Sequence, residues 1–277
     1  RPPDQRARQR PLESSAVPGE SRVQAKHMGD SLLPALQWSG GLLAIHLIFY
    51  RAAKRVGGDI GAAPHLAGHF PVALTSFSIL AVIGTMKWLS HAPTDRLHGY
   101  SADGVFIARF MLAFQLYELI AITFDWKLAG PGTVMVMHHV LVVVLSAWVV
   151  THQYMHYYCI FFFGVPEISS VPLAFVDLFK QVPAMRARFP MLNQIARNSF
   201  AVSFILVRIF WFSLVSFHFW QDSLAELRAP IQRQPIALVI TVCAVNIVMV
   251  GLQYYWGSLV IRAVIKMIKG DASHKDA

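Results

Sequence analysis

Charge is scarce in this chain. Asp, Glu, Lys and Arg make up 14% of its 277 residues, against 55% hydrophobic side chains, so the apolar surface exceeds what a water-soluble core of this length hides. The surrounding medium is therefore expected to be lipid. Cysteine is almost absent. Cys159 and Cys243 are the two present, both inside apolar runs, which excludes a disulfide framework and reads each as a small buried thiol. No Asn-x-Ser/Thr acceptor occurs, and the first 30 residues hold no apolar core of the kind a secretory leader needs. Short segments of strict polar-apolar alternation are also missing, which argues against a membrane barrel.

What is present is a set of long apolar runs. A membrane-crossing helix needs about 20 mainly apolar residues, and seven stretches qualify: 32–50, 70–89, 104–124, 131–150, 155–179, 198–220 and 235–261. The first carries Gly40, Gly41 and His46 and is the weakest, so a six-span alternative stays open. The fold class is all-α: a multi-pass membrane protein of about seven transmembrane helices. Residues 1–30, rich in Arg, Pro and Ser, read as a disordered basic tail within which Met28 is a candidate start. The net charge of +9 lies in the connections rather than along one soluble face, which points to a membrane surface and not to nucleic acid. Arg51, Lys54, Arg55, Lys127, Lys180, Arg186, Arg188, Arg197, Arg262, Lys266, Lys269 and Lys275 fall on one side, and Arg22, Lys26, Lys87, Arg96, Arg228 and Arg233 on the other. This excess predicts a cytoplasmic C-terminus.

Ionisable groups inside spans are costly and face a bundle interior. Glu118 lies in the third span, His138 and His139 in the fourth, Glu167 with Ser169 and Ser170 in the fifth, Arg208 in the sixth and Asn246 in the seventh. At about 1.5 Å per residue their depths come to roughly 9 to 24 Å from the same helix ends. One internal polar pocket can hold them all. The bland reading is interhelical glue, including one Glu-Arg pair. Adjacent helical residues point about 100° apart, so the two imidazoles are expected to meet different surroundings, one facing the cavity and the other a neighbouring helix. Glu167 is positioned to orient one of them. Pro166 and Pro172 predict a broken fifth span beside Glu167. Trp88, Trp148, Tyr154, Trp220 and Trp256 read as interfacial anchors.

Four segments carry a family resemblance: Phe114-Gln115-Leu116-Tyr117-Glu118-Leu119, Met137-His138-His139-Val140, Gly164-Val165-Pro166-Glu167-Ile168-Ser169-Ser170 and Leu252-Gln253-Tyr254-Tyr255-Trp256. In order and spacing, from about His65 to Gly270, they resemble the TLC-domain family, the membrane module of ceramide synthases and related lipid-homeostasis proteins. The resemblance implies a TLC-type helix bundle, with 31–64 as first helix and linker, 65–270 as the TLC domain and 271–277 as a cytoplasmic tail. It also implies residence in the endoplasmic reticulum. In the synthases the His pair and two downstream acids serve catalysis. Here His138, His139 and Glu167 match, whereas Ser170 stands in the place of the second acid and Pro166 replaces the histidine before the first. The chain is therefore more similar to the smaller TLC-domain-containing branch than to the synthases themselves.

Three readings follow. The first is a protein of membrane lipid homeostasis that binds, senses or transfers lipid in the pocket, with Glu118, Ser170, Arg208 and Asn246 contacting it. The second is an acyl-CoA-dependent N-acyltransferase of ceramide synthase type, using His138, His139 and Glu167 as catalytic residues, acyl-CoA as co-substrate and a sphingoid base as acceptor. The third is a membrane di-iron lipid oxygenase, prompted by His65-x-x-x-His69 and His152-x-x-x-His156. Imidazole suits iron, but His139 and His152 sit about 20 Å apart on one helix, and His65, His69, His91, His98, His152 and His156 read as solvated or head-group-facing. No metal or resident cofactor is expected. Membrane lipids are the expected partners, nucleic acid is not, and a homodimer is left open.

Overall fold

A computed structural model of the chain describes residues 18–90, 92–129 and 132–275. The disordered tail expected over 1–30 lies mostly outside these residues; from Pro18 the chain is already helical. The first helix, α1 (Pro18–Val56), turns through Gly57 and Gly58, whose φ of 71° and 61° suit residues without a Cβ. A short α2 (Gly58–Ala62) leads to α3 (Pro64–Trp88), which starts on a proline whose missing N–H has no helical partner to lose. Ser101 caps α4 (Ala102–Phe124) by accepting from the Gly104 N–H at 3.1 Å. A 3-10 turn (Trp126–Ala129) precedes α5 (Thr133–His152).

The fifth span is two helices, α6 (His156–Gly164) and α7 (Glu167–Gln181), interrupted at Val165-Pro166 as expected of Pro166, whereas Pro172 lies inside α7 and does not end it. A short α8 (Pro183–Arg188) connects to α9 (Pro190–Ser203). That helix continues through a π-helical segment, Phe204–Trp211, into α10 (Phe212–Arg228), and α11 (Ile236–Lys275) completes the described chain.

Among the described residues, seven segments are long and apolar enough to cross a membrane: Leu32–Val56, Pro64–Trp88, Ala102–Phe124, Thr133–His152, His156–Gln181, Pro190–Arg228 and Ile236–Met267. The protein is an all-helical, multi-pass integral membrane protein, and the first segment takes its place among the seven. Two corrections follow from the boundaries. The second span begins at Pro64 rather than Phe70, which brings His65 and His69 inside a helix. His156 likewise opens α6 and is fully buried, not solvated.

The central elements are α4 and the α6–α7 pair, and α1 is the most peripheral. Outward faces carry Leu36, Ile48, Val82, Met86, Phe210, Ile240 and Ile247 to the lipid. Phe161, Phe162 and Phe163 pack in the core. Tyr154, expected at an interface, is 1% exposed and also belongs to it. Between α3 and α6 the backbones nearly touch: a Cβ on Gly84 would lie 2.5 Å from the Gly164 Cα.

The end carrying the 89–101, 153–155 and 229–235 connections is tied by a polar belt. Arg96 pairs with Asp222 at 2.6 Å, His98 with Glu226 at 3.1 Å and Arg233 with Asp95 at 2.8 Å, while Tyr158 donates to Asp222. Partial burial pushes the Asp95 carboxyl up, but the His98 N–H and the Arg233 guanidinium outweigh it and hold that carboxyl below its ordinary range. This stabilisation is complete above the unfolded-chain value and is lost as pH falls through the lowered folded value. Both partners are more than a third exposed, so Asp95→Asn is expected to lower stability by less than about 1 kcal/mol at neutral pH. Thermal melts from neutral to strongly acid pH should show that difference vanish at the acid end.

Candidate functional site

The helices enclose a cavity of about 400 Å³ among α3, α4, α5, α7, the π-helical segment and α11. Leu66, Phe70, Phe77, Phe114, Leu173, Phe200, Phe204 and Leu259 give it apolar walls. Its polar lining is formed by His69, Gln115, Glu118, His138, His139, Glu167, Ser170 and Arg208, with Asp177, Lys180 and Gln181 toward the C-terminal end of α7. The cavity thus extends toward the end of the bundle that carries the 57–63, 125–132 and 182–189 connections.

Arg208 is the hub of one side. The Pro166 break puts Glu167, Ser169 and Ser170 on the first turn of α7, and Arg208 reaches them from the middle of the π-helical segment. Such wider turns are frequent at functional sites. Its Nε donates to Ser169 Oγ at 2.7 Å, Nη2 to Ser170 Oγ at 2.8 Å and to Glu167 Oε1 at 3.4 Å, and Nη1 to Gln253 Oε1 at 3.5 Å. The Arg208 and Glu167 side chains are each 11% exposed, so this is a buried ion pair with its remaining donors satisfied by hydroxyls and an amide. The expected Glu-Arg pair exists, and its acid is Glu167. The carboxylate expected to orient a histidine is instead bonded to Arg208 of the sixth span.

The other side is built on α3, α4 and α5. His69 Nε2 donates to both Glu118 oxygens, at 2.9 and 3.0 Å, and Tyr117 hydroxyl meets His46 Nδ1 at 2.8 Å. His139 Nδ1 lies 2.5 Å from Gln115 Oε1. An amide oxygen can only accept, so Nδ1 carries the proton and Nε2 keeps a lone pair in the neutral ring. His138 packs edge-on against Trp256 of α11, with ring centroids 5.3 Å apart, and its Nδ1 is buried without a hydrogen-bond partner. The two imidazoles therefore do meet different neighbours, yet both line the cavity rather than one alone.

Asn246 is separate. It lines a second chamber of about 30 Å³ together with Gln115, His138, Glu167, Arg208 and Gln253, and it does not line the larger cavity. His138, Gln115, Glu167 and Arg208 border both spaces and so form a polar septum between them. Glu118, Ser170, Arg208 and Asn246, expected as one contact set, are divided: the first three line the cavity and Asn246 lies behind the septum.

His69, Gln115, Gln253 and Trp256 were not singled out for the pocket. His69 stands just before the apolar run that starts at Phe70, and Trp256, an aromatic near a span end, reads from sequence as an anchor. The histidines prompting the iron reading are dispersed: His69 is bonded to Glu118, His65 stacks on Phe124, and His156 lies beside Ser101 and Tyr100. Among the described residues no group of three or more His, Cys, Asp or Glu is gathered as metal ligands.

No curated protein and no solved structure matches the chain significantly. A family profile does: the TLC domain matches residues 69–262, a stretch that starts at the cavity histidine of α3 and ends beyond the α11 residues lining the cavity. With most of its length so matched, and with seven apolar spans around a polar cavity, the chain is a membrane protein of lipid-related function that belongs to the TLC-domain family.

Proposed function

We propose that the cavity receives a single-chain lipid with its polar group at the buried cluster, and that the protein acts in membrane lipid homeostasis by binding, sensing or transferring that lipid. The supporting observation is the lining: apolar walls converging on His69, Glu118, His138, His139, Ser170 and Arg208. Its volume of about 400 Å³ falls in the ~300–1,000 Å³ range of small-molecule pockets. That suits one hydrocarbon chain with a compact head group better than a two-chain phospholipid. In this reading the site is reached from the cytoplasmic leaflet of the endoplasmic reticulum, with the C-terminus cytoplasmic.

Ala174 lines the cavity one turn beyond Ser170 and is 9% exposed, so Ala174→Trp fills the space beside the polar cluster from a wall while leaving every residue of that cluster in place. It is expected to weaken binding of a radiolabelled single-chain lipid at least tenfold in a scintillation-proximity titration, with thermal stability nearly retained. Unchanged affinity would place the lipid elsewhere.

A second reading is supported by the His139 geometry. A lone pair at Nε2 beside the cavity can take a proton from an amine attacking the thioester carbon of acyl-CoA, with the thiolate leaving and an amide forming. Incubation with long-chain acyl-CoA and a sphingoid base distinguishes the two. N-acyl product that disappears in the His138→Ala, His139→Ala variant favours the transferase; bound lipid without product favours the binding protein.

A further inference from the structure

We infer that the small chamber behind the septum is an internal hydration site, and that Asn246 is a positioning residue acting on His138 through the water held there. The inference deepens the proposed lipid site, because it concerns the protonation pattern of a histidine lining that site.

Two observations carry it independently of each other. Asn246 is 3% exposed and its Oδ1 has no hydrogen-bond partner within the protein. His138 borders the same chamber, and its Nδ1 is also buried and unpartnered. Buried polar atoms are satisfied by protein or by ordered water, and here no protein group reaches either atom. The chamber has the size for the alternative. About 30 Å³ exceeds the ~10–15 Å³ that one water requires, with two to four polar partners needed to hold it. Apolar Leu141, Val142, Phe162, Phe163 and Met249 form the rest of the lining, so a water there is confined to the polar side.

The hydrogen-bond directions follow from which groups can only accept. Asn246 Oδ1 is an obligate acceptor, and the Glu167 carboxylate bordering the chamber is another, so a water donates its two hydrogens to these. Arg208, the strongest donor nearby, already serves Ser169, Ser170, Glu167 and Gln253. His138 can present either a donor or an acceptor. In this arrangement the water oxygen accepts from Nδ1–H of His138, with the Gln253 amide free to donate as well, which leaves Nε2 as the lone pair of the neutral ring. His138 and His139 then share one tautomer, set by water in the first case and by Gln115 in the second.

The test uses the full chain in lipid nanodiscs, lipid-stripped so that it stands apart from any binding result, with histidine labelled in 15N. The His138 signals are those lost in His138→Gln. We expect a protonated Nδ1, a magnetisation-transfer peak from water to that proton, and an unprotonated Nε2. Asn246→Leu, close in size but without the acceptor, should abolish the water peak and shift the tautomer balance, while Asn246→Asp, which keeps an acceptor, should restore the peak. An Nε2-protonated His138 without water contact in the wild type overturns the inference, and so does an Asn246→Leu spectrum identical to wild type. The wild-type water peak decides the matter even if a variant fails to fold. Loss of lipid binding with these spectra intact would count against the lipid site alone.

Discussion

Arg208→Met is expected to destabilise the protein by about 3–5 kcal/mol, the range seen when one member of a buried ion pair is removed and the other is left without a counter-charge. Glu167 is that other member, 8% exposed; its remaining side-chain partner, Ser170, offers a hydroxyl and no positive charge. Replacing both partners, as in Arg208→Met with Glu167→Gln, removes the stranded charge, so most of the stability should return. Thermal unfolding of the two single variants and the double variant in one detergent gives the coupling directly. Lipid binding separates structure from function in the same set of proteins. If Arg208 and Ser170 hold the polar group, the double variant regains its melting temperature and still fails to bind. If the pair is only glue between α7 and the sixth span, binding returns together with stability.

Gly164→Ala is expected to be strongly damaging for a change of a single methyl group. A Cβ at this position would sit 2.6 Å from the Gly84 Cα and 3.1 Å from the Leu80 carbonyl oxygen. Both obstacles are backbone, so no side-chain rotation relieves them and α3 must move away from α6. Overpacking typically costs ~1–3 kcal/mol, and a helix–helix displacement puts this variant at or above the upper end. The same displacement carries Val165-Pro166 with it and therefore shifts Glu167 from Arg208, so binding should fall beyond what stability predicts. Gly251→Ala is the control. Nothing lies within 4 Å of its added Cβ, and alanine is the better helix former, so it should melt at or slightly above wild type.

The spans were legible because hydrocarbon thickness imposes length and composition on every one of them. The broken fifth span was legible from Pro166, whose missing N–H ends α6 wherever the segment packs. The identity of the pocket-forming residues was legible for the same energetic reason, since Glu118, His138, His139, Glu167, Ser170 and Arg208 have no cheap place in lipid. Their pairing was not. Which carboxylate meets Arg208 depends on the rotation of α7 about its break and on the π-helical segment that carries Arg208, and neither leaves a periodic trace in the residues. His69 shows a different limit. It lies on the first turns of α3, outside the apolar run but inside the helix, because Pro64 starts the helix earlier than hydropathy does. Asn246 matched its companions in depth but not in direction, and a one-dimensional depth cannot distinguish the cavity from the chamber behind it.

The decisive measurement is native mass spectrometry of the wild-type protein and Ala174→Trp, each released from mild detergent. A lipid-binding cavity predicts one single-chain lipid per wild-type chain, surviving the collisional activation that strips annular lipid, and none on Ala174→Trp. The same adduct on both proteins, or no retained lipid on the wild type, would contradict it and leave the buried polar cluster as a device for holding helices together.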